Sequence, residues 1–329
     1  MPPSVASGLS REHTRRMKPG TVRLLRSGVS IALLVAVASW MDVGAVLSRL
    51  GQLHPGWVMA ALVVSSGQVV LSAWRWRYTA GRLDQDIPLG RAVGEYYRST
   101  LLNQLLPGGV VGDVSRAWRH AGPGGGGGHA VSAVILDRLS GQAVMTGVAV
   151  LSGLILLWGE PRGGAGWSVV GGALSLIVLA GPFLSRRLLR FPPLARIASD
   201  ARRALLGSAL PTQLATSLAV VGSYLAVFVM AARAVGVGTP LTALLPLVAP
   251  VLVTMLLPVT VAGWGLREGA AAALWHAVGL TAADGVAISV AYGLLVLVSS
   301  LPGLLFLGFT PPGPGNAGRE AEAESSPGS

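Results

Sequence analysis

LLPGGVVGDVSR, Leu105 to Arg116, is where a chain otherwise averse to charge breaks its backbone and then places an acid and an arginine three residues apart. Pro107 lacks the amide donor that a continuing helix needs, and Gly108 and Gly109 loosen the backbone behind it. A second stretch, LLPVTVAGWGLRE from Leu256 to Glu268, repeats the Leu-Leu-Pro, a glycine a few residues on, and then an arginine with an acid. Pro107 and Pro258 stand 151 residues apart. What surrounds the two breaks says what they are for.

Of the 329 residues, 52% are hydrophobic and only 12% charged, against roughly a quarter charged in soluble domains. Runs free of Asp, Glu, Lys and Arg cover 55–74, 139–159, 163–185, 204–232, 234–266 and 285–318. Each is near or above the roughly 20 apolar residues that a helix needs to cross a bilayer. The composition therefore predicts an all-α, polytopic membrane protein. Its net charge of +11 does not point to nucleic acid, because no basic stripe with interleaved aromatics occurs. The basic residues lie in short segments between apolar runs, as orientation signals do. With no cysteine, thiolate metal sites and Cys nucleophiles are excluded. Lys18 is the only lysine, an arginine bias associated with GC-rich bacterial genomes.

The spans read Ser27–Met41, Trp57–Trp74, Ala130–Trp158, Trp167–Leu184, Leu210–Ala232 and Val286–Leu307. The first is either an uncleaved span or the core of a signal peptide, since it ends near an A-x-A pattern. Trp40, Trp57, Trp74, Trp158 and Trp167 fall where a span meets a loop, as an interfacial aromatic belt does. Arg75, Arg77, Arg82 and Arg91 follow the second span, and six arginines between Arg186 and Arg203 follow the fourth. The positive-inside rule puts these loops and both termini in the cytoplasm of a cell membrane. Residues 1–22 read as a basic disordered arm, 23–309 as the membrane domain, and 310–329 as a disordered tail. Gly122–Gly128 reads as a flexible hinge.

Two segments fit no full span. Tyr96–Gly112 is too short to cross yet too apolar for a solvated loop; Pro240–Val278 is interrupted by Pro246, Pro250 and Pro258, then by Gly263 and Gly265. Both read as re-entrant or broken helices. The chain thus divides into two units of span, span, break, span, with halves at about 23–160 and 161–309. The arginine assignment starts one unit inside and the other outside, which makes an inverted-topology repeat with about six full spans and two broken segments. Transporters use this plan to expose helix ends to substrate near the midplane.

Asn103…Pro107-Gly108-Gly109…Gly112-Asp113…Arg116, then Asp137-Arg138, then Pro258…Gly263-Trp264-Gly265-Leu266-Arg267-Glu268 resembles the lysylphosphatidylglycerol synthase transmembrane-domain family over roughly Arg23 to Phe309. The resemblance implies a flippase-like integral membrane protein. Relatives that make aminoacylated lipid carry a further aminoacyl-transferase domain. This chain ends after a short tail, so the implied role is lipid translocation and not catalysis, with no cofactor or metal. The implied partners are membrane lipids with an anionic headgroup, with a homodimer or a synthase acting in trans left open.

A charge at membrane depth costs several kcal/mol unless paired or hydrated. Asp113 and Arg116 share a helix face and can pair. A helix starting after Gly109 or Gly112 would turn its free N–H groups toward a lipid phosphate, and Arg116 would add charge-assisted bonds. Asn103 either lines that cavity or caps a backbone group freed by the break. Arg267 and Glu268, being adjacent, are expected not to pair with each other; one should reach Asp113 or Arg116 and the other should face the cavity. Asp137-Arg138 opens the third span, either as substrate contacts or as a helix-end pair. His276 reads as an interfacial residue. Other readings are a small-solute transporter on the same scaffold, or a lipid-modifying enzyme hinted at only by Asp84-Gln85-Asp86, which a solvated turn explains better.

Overall fold

The structure is a computed structural model that describes residues 43–106, 109–121, 127–158, 192–256 and 260–308, with isolated helical positions at Gly28, Ala32, Val35 and Ser39. The described residues form helices and no strands. One unit runs α1 (Val43–Leu50), α2 (Pro55–Gly81), α3 (Leu89–Leu105), α4 (Val111–Ala121) and α5 (Gly127–Trp158). The other runs α6 (Pro192–Leu205), α7 (Leu210–Ala234), α8 (Leu241–Val253), α9 (Leu266–Ala277) and α10 (Ala282–Ser300). Short 3-10 turns lead into α7 (Gly207–Ala209) and extend α8 (Thr254–Leu256) and α10 (Leu301–Phe306). Shifted by the 151 residues between the two prolines, each helix of the first unit overlaps its counterpart in the second.

The units are inverted, and hydrogen bonds along the α2–α7 contact show it. His54 N–H donates to Ala234 O, Ser223 Oγ bonds Gln68 Oε1, Arg75 Nη1 bonds Ser217 Oγ, and Gln213 Nε2 bonds Thr79 Oγ1. Positions rising along α2 meet positions falling along α7, so the two equivalent helices are antiparallel. Each interrupted helix is held by the opposite unit: α3 packs on the Leu301–Phe306 turn and α8 packs on α5.

Among the described residues four helices, Pro55–Gly81, Gly127–Leu156, Gly207–Ala234 and Ala282–Phe306, are long and apolar enough to cross a bilayer; Leu241–Leu256 is apolar but shorter. At 27 residues, α2 is ~40 Å long. Met59, Val63, Leu151, Ile155 and Leu218 stand exposed on these helices, which suits a hydrocarbon solvent and not water. A core of Phe228, Leu247, Trp275 and Tyr292 knits the second unit together, and Trp76, Leu83, Ile87 and Leu136 form another beneath the first.

Several boundaries differ from the sequence reading. The second span does not stop at Trp74 but continues to Gly81, so Arg75 and Arg77 lie inside a helix and not in a basic loop. Pro246 and Pro250 do not interrupt α8. Each removes only one ladder bond, and the fully buried side chains of Leu244, Leu247, Val248 and Val251 carry the helix through. Gly127 and Gly128 belong to α5; the rest of the expected hinge lies outside the described residues. So do most of the first span, the Trp167–Leu184 span, the arm, the tail, and Pro107, Gly108 and Pro258.

Because the chain has no native cysteine, the antiparallel register is directly testable. A short bismaleimide should join Gln68→Cys to Ser223→Cys, and Thr79→Cys to Gln213→Cys. Gln68→Cys with Gln213→Cys, offset by ten residues or ~15 Å along α7, should stay unlinked on a denaturing gel.

Candidate functional site

The first break sets the geometry. Leu106 turns extended (φ −105°, ψ 141°), Gly109 takes φ +60°, and α4 starts at Val111. Asn103, in the last turn of α3, both caps and lines: its Oδ1 accepts the Gly112 N–H at 2.8 Å while its Nδ2 donates to Asp113 Oδ2 at 3.0 Å. A Cβ on Gly112 would stand 2.0 Å from the Ser99 carbonyl oxygen, so only glycine lets the two arms of the break touch backbone to backbone. Asp113 pairs with Arg116 Nη2 at 3.1 Å, as the three-residue spacing implied, and also accepts Ser99 Oγ at 3.2 Å. Arg138 Nη1 meets its other oxygen, and Arg138 Nη2 donates to Gly109 O at 2.8 Å. Arg138 thus ties α5 to both the carboxylate and the backbone of the break.

Asp137 overturns the expectation that it opens a span. It lies well inside α5, because that helix begins at Gly127, and it is fully buried. Nor is it a helix-end pair with Arg138. Its carboxylate accepts Arg75 Nε at 3.0 Å, Tyr96 Oη at 3.1 Å and Arg116 Nη2 at 3.3 Å. Arg75 also donates to the Asp137 carbonyl and to Ser217; Gly141 makes room for it, since a Cβ there would come within 3.1 Å of Arg75 Nη1. The Arg116 guanidinium is sandwiched between Trp76 and Tyr96, 4.5 and 4.3 Å from the ring centroids, a cation–π arrangement that strengthens when desolvated.

Arg75, Trp76 and Tyr96 escaped the sequence reading. A usable signal was present: Ser65, Gln68, Ser72, Arg75 and Thr79 recur at alternating three- and four-residue spacing along an otherwise apolar helix. A polar stripe of that period faces protein, not lipid.

The second break is built differently. Gly263 and Gly265 take φ +82° and +89°, and Gly265 precedes α9. Contrary to expectation, Arg267 and Glu268 pair with each other, Nη2 to Oε1 at 2.7 Å, and both are about 1% exposed. Glu268 folds back onto the helix start, accepting Gly265 N–H at 2.7 Å. That brings its carboxylate beside Arg267, and Ser289 bonds to both. The side chains that adjacency should splay apart are thus drawn together by a capping bond. Neither contacts Asp113 or Arg116. Arg267 stacks between Trp264 and Tyr292, 5.0 and 5.3 Å from their centroids. It stands 151 residues after Arg116, so equivalent arginines each sit between two aromatic rings, although the rings come from non-equivalent positions.

A cavity of about 240 Å³ lies between the units. The charged side chains lining it, among the described residues, are Arg75, Asp113, Arg116, Asp137 and Arg138, all from the first unit. The second unit contributes mainly apolar groups, among them Val220, Val221, Leu252, Met255, Leu256 and Val296. Asn103 and Gly109 line it too, whereas Gly112, Gly263, Gly265, Arg267 and Glu268 do not. Pro107, Gly108 and Pro258 lie outside the described residues.

The lysylphosphatidylglycerol synthase TM region matches residues 23–303. The chain belongs to this family. No curated protein and no solved structure matches it. The match in the lysylphosphatidylglycerol synthase TM region spans both units, so the two differently built breaks belong to one membrane region. No cluster of His, Cys, Asp or Glu among the described residues has the makings of a metal site. Asp84, the first acid of the D-x-D, is an exposed turn residue that pairs with Arg203.

Burial ranks these ion pairs. Asp137→Asn should lower stability by about 3–5 kcal/mol, and Glu268→Gln by a similar amount, because each strands a buried guanidinium. Arg203→Gln, which breaks a largely exposed pair, should cost under about 1 kcal/mol. Unfolding in detergent measures all three. The same assay should show Gly112→Ala losing about 1–3 kcal/mol or more to overpacking, while Gly222→Ala, with open space around it, is neutral or stabilising.

Proposed function

We propose that this protein carries an anionic lipid between the two leaflets of a bacterial cell membrane, with both termini on the cytoplasmic side. The observation that carries the reading is the two-sided cavity. Among the described residues one wall holds three guanidiniums against two carboxylates, an excess of one positive charge, and the opposite wall is mainly apolar. A monoanionic phosphate with hydrocarbon attached complements both walls, whereas a small hydrophilic solute would leave the apolar one unsatisfied. Family membership, whose name refers to a lipid-aminoacylating enzyme, supports a lipid substrate. The role is transport and not catalysis; an aminoacylated lipid would come from a synthase acting in trans.

Within this reading, Arg138 is the headgroup contact. It is the most exposed of the three cavity arginines, at 34% of its side chain, and can exchange Asp113 for a phosphate oxygen. Arg75 and Arg116 are committed to Asp137 and shape the positive field behind it. Arg267 and Glu268 hold the second break rigid.

The test is leaflet-specific lipid accessibility in proteoliposomes of anionic lipid. Arg138→Gln should slow translocation about tenfold or more, the worth of one charge-assisted bond, while costing less stability than Asp137→Asn because Arg138 is a third exposed and Asp113 keeps three other donors. Equal translocation by wild type, Arg138→Gln and protein-free vesicles would remove the proposal.

A further inference from the structure

Outside the cavity, α3 carries a second charged face. Arg91, Glu95 and Arg98 recur at i, i+4 and i+7, turned away from the side that bears Tyr96, Ser99 and Asn103. The returning α4 adds Arg119, whose guanidinium meets Glu95 Oε1 at 2.8 Å. Arg98 feels both Arg119 and Glu95. Arg119 holds the carboxylate, Arg98 lies in its field, and Arg91 stands one helical turn before it, so three guanidiniums surround a single acid. The Nε and Nη1 of Arg98 are withdrawn from solvent with no hydrogen-bond partner among the described residues, and so is Nε2 of His120, whose ring meets Trp76 edge-on at 5.6 Å.

Basic residues in the last turn of a helix complement its dipole and mark the cytoplasmic side. That accounts for Arg119 and His120, which close α4. It does not account for Arg98, which sits in the middle of α3 with two unsatisfied donors, an arrangement that costs free energy unless an acceptor arrives. Along the outer face of α4, Val111, Val114 and Trp118 form one stripe at i, i+3 and i+7, exposed by 38%, 53% and 79%. An indole at the end of an apolar stripe marks headgroup depth in a bilayer. Excess positive charge thus stands beside a surface made for acyl chains.

We propose that Arg91, Arg98 and Arg119 form a second, lateral site that binds the phosphate of an anionic membrane lipid, whose chains lie along Val111, Val114 and Trp118. The site deepens the proposed transport, and rests on it, by giving a headgroup a waiting place one helix away from the cavity. Arg98 supplies unpaired donors, Arg91 adds field, and Arg119 shifts between Glu95 and the phosphate.

Trp118 is a built-in reporter. The full chain is placed in vesicles containing brominated phosphatidylglycerol or, at equal mole fraction, brominated phosphatidylcholine, and the Trp118 signal is taken as the difference from Trp118→Phe. Quenching by the anionic lipid should exceed that by the zwitterionic one severalfold. Arg98→Gln should reduce the preference about fivefold, the worth of one arginine at a charged surface; the more exposed Arg91→Gln should reduce it less, and Arg203→Gln not at all. Equal quenching by the two lipids overturns the site, as does a preference unchanged in both Arg98→Gln and Arg91→Gln. Millimolar inorganic phosphate should leave the preference intact; if it abolishes it, the site takes free phosphate and the lipid assignment is wrong. Translocation measured on the same vesicles separates the two proposals: selective quenching without translocation sinks transport alone, and translocation without selective quenching sinks the lateral site alone.

Discussion

A carboxylate with no access to water must be surrounded by donors, and meeting that demand at Asp137 organises the first unit. Its donors come from α2, α3 and α4, and Arg75 extends the network to Ser217 on α7. Five helices are thereby fixed around one side chain. In a bilayer, where hydrophobic burial gives helices little reason to associate, such polar contacts carry much of the specificity. Asp113 repeats the arrangement one layer nearer the cavity, with donors from Ser99, Asn103, Arg116 and Arg138. Three guanidiniums serve two carboxylates, and the surplus charge faces the space between the units.

The repeat makes the asymmetry informative. Arg116 and Arg267 hold equivalent places, each between two aromatic rings and each within a turn of an acid. In the second unit the acid is the next residue and caps its own helix, so the ion pair closes on itself and is sealed from the cavity. In the first, the acid sits one turn earlier, and a second carboxylate and a third arginine arrive from α5. Ile288 occupies the place equivalent to Asp137, and Ser289 the place equivalent to Arg138. A few substitutions, on α2, α4 and α5 and at their counterparts, thus separate a closed structural pair from an open, charged wall.

Proline and glycine act on their own backbone, which is why both breaks are legible in the sequence; their matched offsets give the two units, and the distribution of arginine gives the inversion. The Asp113–Arg116 pair is legible for the same reason, since helical spacing alone brings those side chains together. What failed needed knowledge of other helices. Arg75 looked like the start of a basic loop because hydropathy falls there, yet Asp137 on another helix compensates its charge and α2 runs on. Pro246 and Pro250 looked like interruptions because their cost is local, while the packing that outweighs it is tertiary. Arg267 and Glu268 were judged by the directions in which Cβ atoms leave a helix; the capping bond to Gly265 bends Glu268 away from that direction.

Arg138 is where the static network becomes a candidate for movement. It holds Asp113 with one nitrogen and the Gly109 carbonyl with the other, so it clamps the break to α5. In the proposed transport, an incoming phosphate competes with both acceptors for the same guanidinium. Binding therefore loosens the break at the moment the cavity fills, and Asp113 keeps Arg116, Ser99 and Asn103 as partners, so no carboxylate is stranded. A ligand shifts a conformational equilibrium only by its differential affinity for the two states. Here the difference is concrete: one state spends Arg138 on the protein, and the other spends it on the headgroup. The second unit has no such exchange available, because Arg267 and Glu268 are sealed together, so the moving element under this mechanism is the first break, with α9 as the fixed one.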